Sequence, residues 1–131
     1  MNPVAEKILA KHGVAVLDFA ILKSVYLWSV SFTKFGVTLY SVASDVGGHD
    51  YEDYFGASEL VRRRCCAMSG LVRVDAMECR VTEAGTELIR AIMADLHSAE
   101  ADLGAADELR EAFKKYGETA EAASTMDEEQ L

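Results

Sequence analysis

The sequence predicts a mainly α-helical domain that carries one small β-hairpin. Three observations carry this expectation. Apolar residues recur at helical spacing in segment after segment. After Gly70 the period changes, and two β-compatible runs, LVRV and CRV, flank Asp75-Ala76-Met77-Glu78. The chain has 131 residues, 50% of them hydrophobic and only one of them proline, which suits a single domain with a real core.

Each element has its own local reason. Asn2-Pro3 starts a first helix, with Asn2 as the cap and proline at the first helical position. Val4, Ile8 and Leu9 share one face of it until Gly13 stops it. A second helix over about 16–29 is apolar nearly all round, with Leu17, Ile21, Val25 and Trp28 on one face and Phe19, Leu22 and Tyr26 on others. Such a helix belongs at the centre of a bundle. Residues 32–36 read as a connection and 38–46 as a short helix. GGHDYEDYFG, residues 47–56, reads as a loop. Ser58 is placed to cap a helix over 59–69, and Gly70 to supply the left-handed residue beyond its end.

The hairpin then has a four-residue tip at 75–78. Thr82 caps a long last helix, with Glu83 in its first turn, where the helix dipole favours a carboxylate. Ile89, Ile92, Leu96, Ala99 and Leu103 step by three and four, an a/d seam of about two heptads. Gly104 interrupts this helix, and Leu109, Phe113 and Tyr116 can resume one. From Gly117 the chain carries five acids and no base, the composition of a disordered tail.

Two short helices ahead of a two-stranded wing make a winged helix-turn-helix, here with a long C-terminal helix. The expected organisation is a winged-helix domain over 1–103, a helical extension over 104–116 and an acidic tail over 117–131. GLVRVDAMECRVTEAGTELIRAI resembles the wing and following helix of winged-helix transcriptional regulators of the MarR and PadR groups. TLYSVASDVG resembles their second helix and SELVRRRCCAMSGLV their recognition helix. The resemblance spans roughly residues 16–103, and VTEAG is its most specific motif. It implies a dimeric DNA-binding repressor, but a fold does not by itself assign a function.

The charges are consistent with a nucleic-acid face on the N-terminal part. The formal net charge is -9, yet residues 1–94 hold 11 acids against 10 bases, and residues 95–131 hold 11 acids against 3 bases. On a helix over 59–69, Val61, Cys65 and Met68 would face the core. Arg62 and Arg63 would then point outward with Ser58, Glu59 and Cys66, and Arg64 would lie on the flank. The resemblance places that outward face in the major groove of double-stranded DNA, where an arginine can hold guanine O6 and N7. Arg73 and Arg80, on the wing strands, could reach phosphates. Expected DNA contacts are therefore Ser58, Arg62, Arg63, Arg64, Arg73 and Arg80. Expected homodimer contacts are Ile89, Ile92, Leu96 and Leu103.

Other classes have less support. Asp75 and Glu78 stand at the wing tip, where regulators of this kind carry bases, and carboxylates there repel phosphate. The alternative is a non-catalytic interaction module whose acidic surface docks on a protein. His12, His49 and His97 lack partners at motif spacing, so no enzyme and no catalytic residue is expected. Cys65, Cys66 and Cys79 make an odd set without a Cys-x-x-Cys spacing. They read as reduced thiols of a cytoplasmic protein, with no metal and no cofactor. Cys65 fits the core, and Cys66, beside arginines, has the setting of a redox-sensing thiolate. The apolar stretch 14–30 carries Asp18 and Lys23 and is short for a membrane span, so no membrane partner is expected. A ligand pocket is conceivable between Tyr26, Trp28, Phe32 and the long helix.

Overall fold

The computed structural model describes residues 2–31, 36–47, 54–101 and 108–118. It is mainly helical with one small antiparallel sheet. The order is α1 (Pro3–Lys11), α2 (Val16–Ser31), β1 (Val37–Thr38), α3 (Leu39–Gly47), α4 (Tyr54–Ala67), β2 (Val72–Asp75), β3 (Glu78–Val81) and α5 (Glu83–Ser98). A further helix, α6, covers 108–118. The strands lie in the order β1-β3-β2, with Val37 opposite Cys79 and Val72 opposite Val81.

The centre is α2, as its all-round apolar surface requires. It packs against α1, α3, α4, α5, β1 and β3. Phe19, Ile21, Leu22 and Val25 are fully buried there, among Leu39, Val61, Ile89 and Phe113 from four other helices. Each such side chain contributes about 1.5–3 kcal/mol by leaving water. No single helix among the described residues is long and apolar enough to cross a membrane.

Helix ends follow local chemistry, including one end that carries no glycine. Asn2 accepts from the Val4 amide at 2.8 Å and starts α1. Gly13 ends it with φ at +70°, its amide and that of Val14 returning to Ala10 and Leu9. The same closure ends α5 at Ser98, six residues before the expected stop at Gly104. Glu100 takes the left-handed position with φ at +51°, and the Glu100 and Ala101 amides bond to His97 and Leu96. A seam continuing to Ala99 and Leu103 is therefore interrupted. Gly70, expected to be left-handed, is not, and a Cβ there would meet nothing.

Other boundaries also differ. α4 begins at Tyr54, so Ser58 lies within the helix and does not cap it. The strand β1 stands where only a connection and a helix start were expected, and Thr38 caps α3 by accepting from the Ser41 amide at 3.1 Å. The hairpin tip has two residues, because Asp75 and Glu78 pair across the strands. In the expected helical extension, Phe113 of α6 is fully buried in the common core against Gly47 of α3. Its helix runs on to 118, and the rest of the acidic segment, 119–131, lies outside the described residues.

The VTEAG motif has a structural reason. Thr82 accepts from the Gly85 amide at 3.0 Å and donates toward the carbonyls of Gly70 and Leu71 at the base of the hairpin. A Cβ on Gly85 would overlap the Leu71 carbonyl. Gly85→Ala is therefore expected to lower stability by roughly 1–3 kcal/mol. Gly70→Ala, with open space and an ordinary φ, should be neutral or stabilising by up to about 1 kcal/mol. Thermal denaturation of the two variants checks the contrast.

A second prediction concerns pH. His12 meets Asp95 of α5 at 2.7 Å, and Lys11 lies 3.6 Å from the same oxygen. The His12 contact first, then the Lys11 charge, holds the Asp95 carboxyl below the ordinary carboxylate range. A depressed folded pKa stabilises above the unfolded value, and that stability is lost as pH falls through the folded value. Asp95→Asn should therefore lower the melting temperature near neutrality. The gap from wild type should begin to narrow as the pH falls below about 4 and close only below the folded value.

Candidate nucleic-acid interface

Successive residues of an α-helix point about 100° apart. Arg62, Arg63 and Arg64 of α4 accordingly take three directions. Arg64 turns inward to α2. Its Nε and Nη2 donate to the two oxygens of Asp18 at 2.7 and 2.6 Å. Its guanidinium also lies 5.6 Å from the Tyr116 ring centre of α6. The hydrogen bond to Asp18 first, and then the Asp18 charge, push its pKa up. Arg64 thus ties three helices together and is not offered to an outside partner, contrary to the sequence expectation.

Arg62 turns toward the hairpin. Its Nη2 donates to the Ala76 carbonyl at 2.6 Å and lies 3.3 Å from Met77 Sδ, while Nε pairs with Glu59 at 3.3 Å. Ala76 has a left-handed φ of +53°, which is uncommon for a residue with a Cβ. Arg62 therefore braces a tight turn and is only half exposed. Ser58, expected on the same outward face, is buried.

Arg63 alone of the three faces outward. It is exposed and has no ion pair or hydrogen bond among the described residues. Glu59, Cys66 and Ala67 share its strip. Beside this strip lies the hairpin, folded back along α4. The Val72 amide returns to Met68 at one end, and Arg62 reaches the turn at the other. On the hairpin Arg73 and Arg80 are opposite one another, as are Asp75 and Glu78, and all four are exposed. They line a shallow depression of about 300 Å³.

The remaining sequence candidates separate. Ile89 and Ile92 are fully buried and Leu96 nearly so, all within the chain's own core. This corrects the expected dimer seam, because these side chains face α1 and α2, and Leu103 lies outside the described residues. Cys65 and Cys79 are buried free thiols and Cys66 an exposed one. The hydrogen bond to Cys79, and burial, push the Cys65 thiol far up, so it stays protonated. No group of three or more His, Cys, Asp or Glu among the described residues could hold a metal ion.

Of the conceivable aromatic pocket, the described residues show Tyr26 and Trp28 with different partners. Tyr26 accepts from Arg90 of α5 at 3.1 Å, whereas Trp28 donates to Asp45 of α3 at 2.9 Å, so the two rings serve different faces. Trp28, Ser24, Leu27, Ser31 and Asp45 border a small open cavity of about 200 Å³, and Phe32 lies outside the described residues. His12 belongs to the α1–α5 clamp, His97 is exposed at the end of α5, and His49 lies outside the described residues.

Comparison of the chain with family models, with curated proteins and with solved structures finds no match.

The inward arginine makes a stability prediction. Both Arg64 and Asp18 are mostly buried, and their bond is bidentate. Arg64→Ala is expected to lower stability by about 1.5–3 kcal/mol. Arg64→Lys should recover little, since an ammonium cannot make the two parallel bonds. Arg63→Ala should leave the melting temperature nearly unchanged.

Proposed function

We infer that this chain is a winged-helix DNA-binding protein of the regulator type, with α4 as its recognition helix and Arg63 as the leading contact. The supporting observation is the outward, unpaired guanidinium of Arg63, on the second of two helices that precede a hairpin. Arg73 and Arg80, opposite each other near the base of the wing, add a phosphate contact. Arg62 acts through the turn that it braces. In this reading a single chain is the unit that binds, since the α5 seam is already used inside it. No catalytic group is part of the reading.

The test is affinity for a short labelled duplex of mixed sequence, and its dependence on salt. Arg63→Ala should weaken binding by about 1–3 kcal/mol if the contact is to a base. Arg73→Ala should weaken it for all sequences alike and flatten the salt slope. Equal binding by wild type and the Arg63→Ala, Arg73→Ala double variant would reject the reading. Deleting 119–131 removes four acids and no base, and should strengthen binding most at low salt.

A further inference from the structure

The hairpin turn presents a surface that DNA binding does not use. Met77 is 51% exposed and Tyr40 45% exposed, two of the large hydrophobics left at the surface. Their backbones come together at one corner: the Leu39 amide, one residue before Tyr40 at the start of α3, donates to the Met77 carbonyl at 2.9 Å. The corner is held from a second side by the bond from Arg62 to the Ala76 carbonyl. It is therefore a pre-formed surface, and a partner would not have to order it on binding.

The charge around the corner has a definite pattern. Asp75 and Glu78 flank the turn as direct cross-strand partners, and both are exposed. Like charges directly opposite destabilise a strand pair. Neither carboxylate has an ion pair among the described residues. A phosphate is repelled at this rung. A lysine or arginine brought from outside, on the turn side of this rung and away from Arg73 and Arg80, would relieve the repulsion. Exposed Tyr and Met, with an Arg beside them, are also the residue types enriched where proteins meet.

We propose that the corner formed by Tyr40, Met77, Asp75 and Glu78 is a docking surface for a partner protein segment that sets an aliphatic or aromatic side chain next to a lysine or arginine. The apolar side chain rests on Met77 and Tyr40, and the cation lies over the Asp75–Glu78 rung. The inference is independent of Arg63, whose strip on α4 is a different surface.

A random peptide library displayed on phage, panned on the full chain, tests it. Peptides pairing Leu, Phe or Trp with an adjacent Lys or Arg should be enriched. A synthetic copy of the selected peptide should bind wild type and lose roughly tenfold or more in affinity to Met77→Asp, and likewise to Asp75→Lys with Glu78→Lys. Tyr40→Ser is a second variant at the apolar half of the corner, and circular dichroism verifies the fold of each. Three outcomes overturn the proposal: no enrichment, selected peptides without a basic residue, or equal binding to wild type and the variants. A fall in duplex affinity on Met77→Asp, with no peptide enriched, would instead assign the corner to DNA.

Discussion

One ion pair, beside the buried Val61 and Cys65, pins the rotational setting of α4. Arg64 is clamped by both oxygens of Asp18, with the Tyr116 ring alongside. Once Arg64 points at α2, helix geometry leaves no freedom for its neighbours. Arg63 must face outward, and Arg62 must face the hairpin. A run of like charge that looks uniform on paper therefore does three jobs: it joins helices, it offers a cation to the surroundings, and it braces a strained turn. The acidic residue that makes this possible is 46 positions away, at the start of α2, and nothing local to the arginines announces it.

This separates what could be read in the sequence from what could not. Periodicity and capping are local, so α1, α2, the hairpin and the start of α5 were legible, with Asn2, Gly13 and Thr82 in their expected roles. The stop after Ser98 was not, because Glu100 adopts a left-handed φ that usually marks glycine. The two-residue strand β1 was missed because its only evidence is tertiary: Val37 and Thr38 become a strand by pairing with β3. The start of α4 was misplaced because Ser58 is a good cap by type, yet it is buried inside a longer helix. Among the candidate site residues, Arg63 and Arg73 are exposed as expected, whereas Arg62 and Arg64 have partners in α4's surroundings that are distant in sequence.

The heptad-like spacing on α5 shows the same limit from another side. An a/d stripe states that one face is apolar, not what covers it. In this chain α1 and α2 cover it. The clamp of His12 and Lys11 on Asp95 helps hold α1 in that place, so this face of α5 is occupied from within. A second helix, α6, then closes the other side of the core, seated where Gly47 leaves room for Phe113. Both covers depend on small or polar residues whose purpose is visible only once the helices are assembled.

The hairpin's charge order ties these observations together. Because it folds back along α4, its base lies near Met68 and its turn near Arg62. The rung nearer the base is Arg73–Arg80, and the rung at the turn is Asp75–Glu78. A wing that met phosphate along its whole length would gain from bases at both rungs, and the acids at the turn act against that. The separation of sign along eight strand residues is more readily explained if the two ends meet different chemistry. Anionic backbone would lie at the Arg73–Arg80 end, and a cationic, partly apolar protein segment at the end beside Met77. The bond from Arg62 to Ala76 then has a physical consequence beyond bracing, since it joins the turn to the helix that carries Arg63.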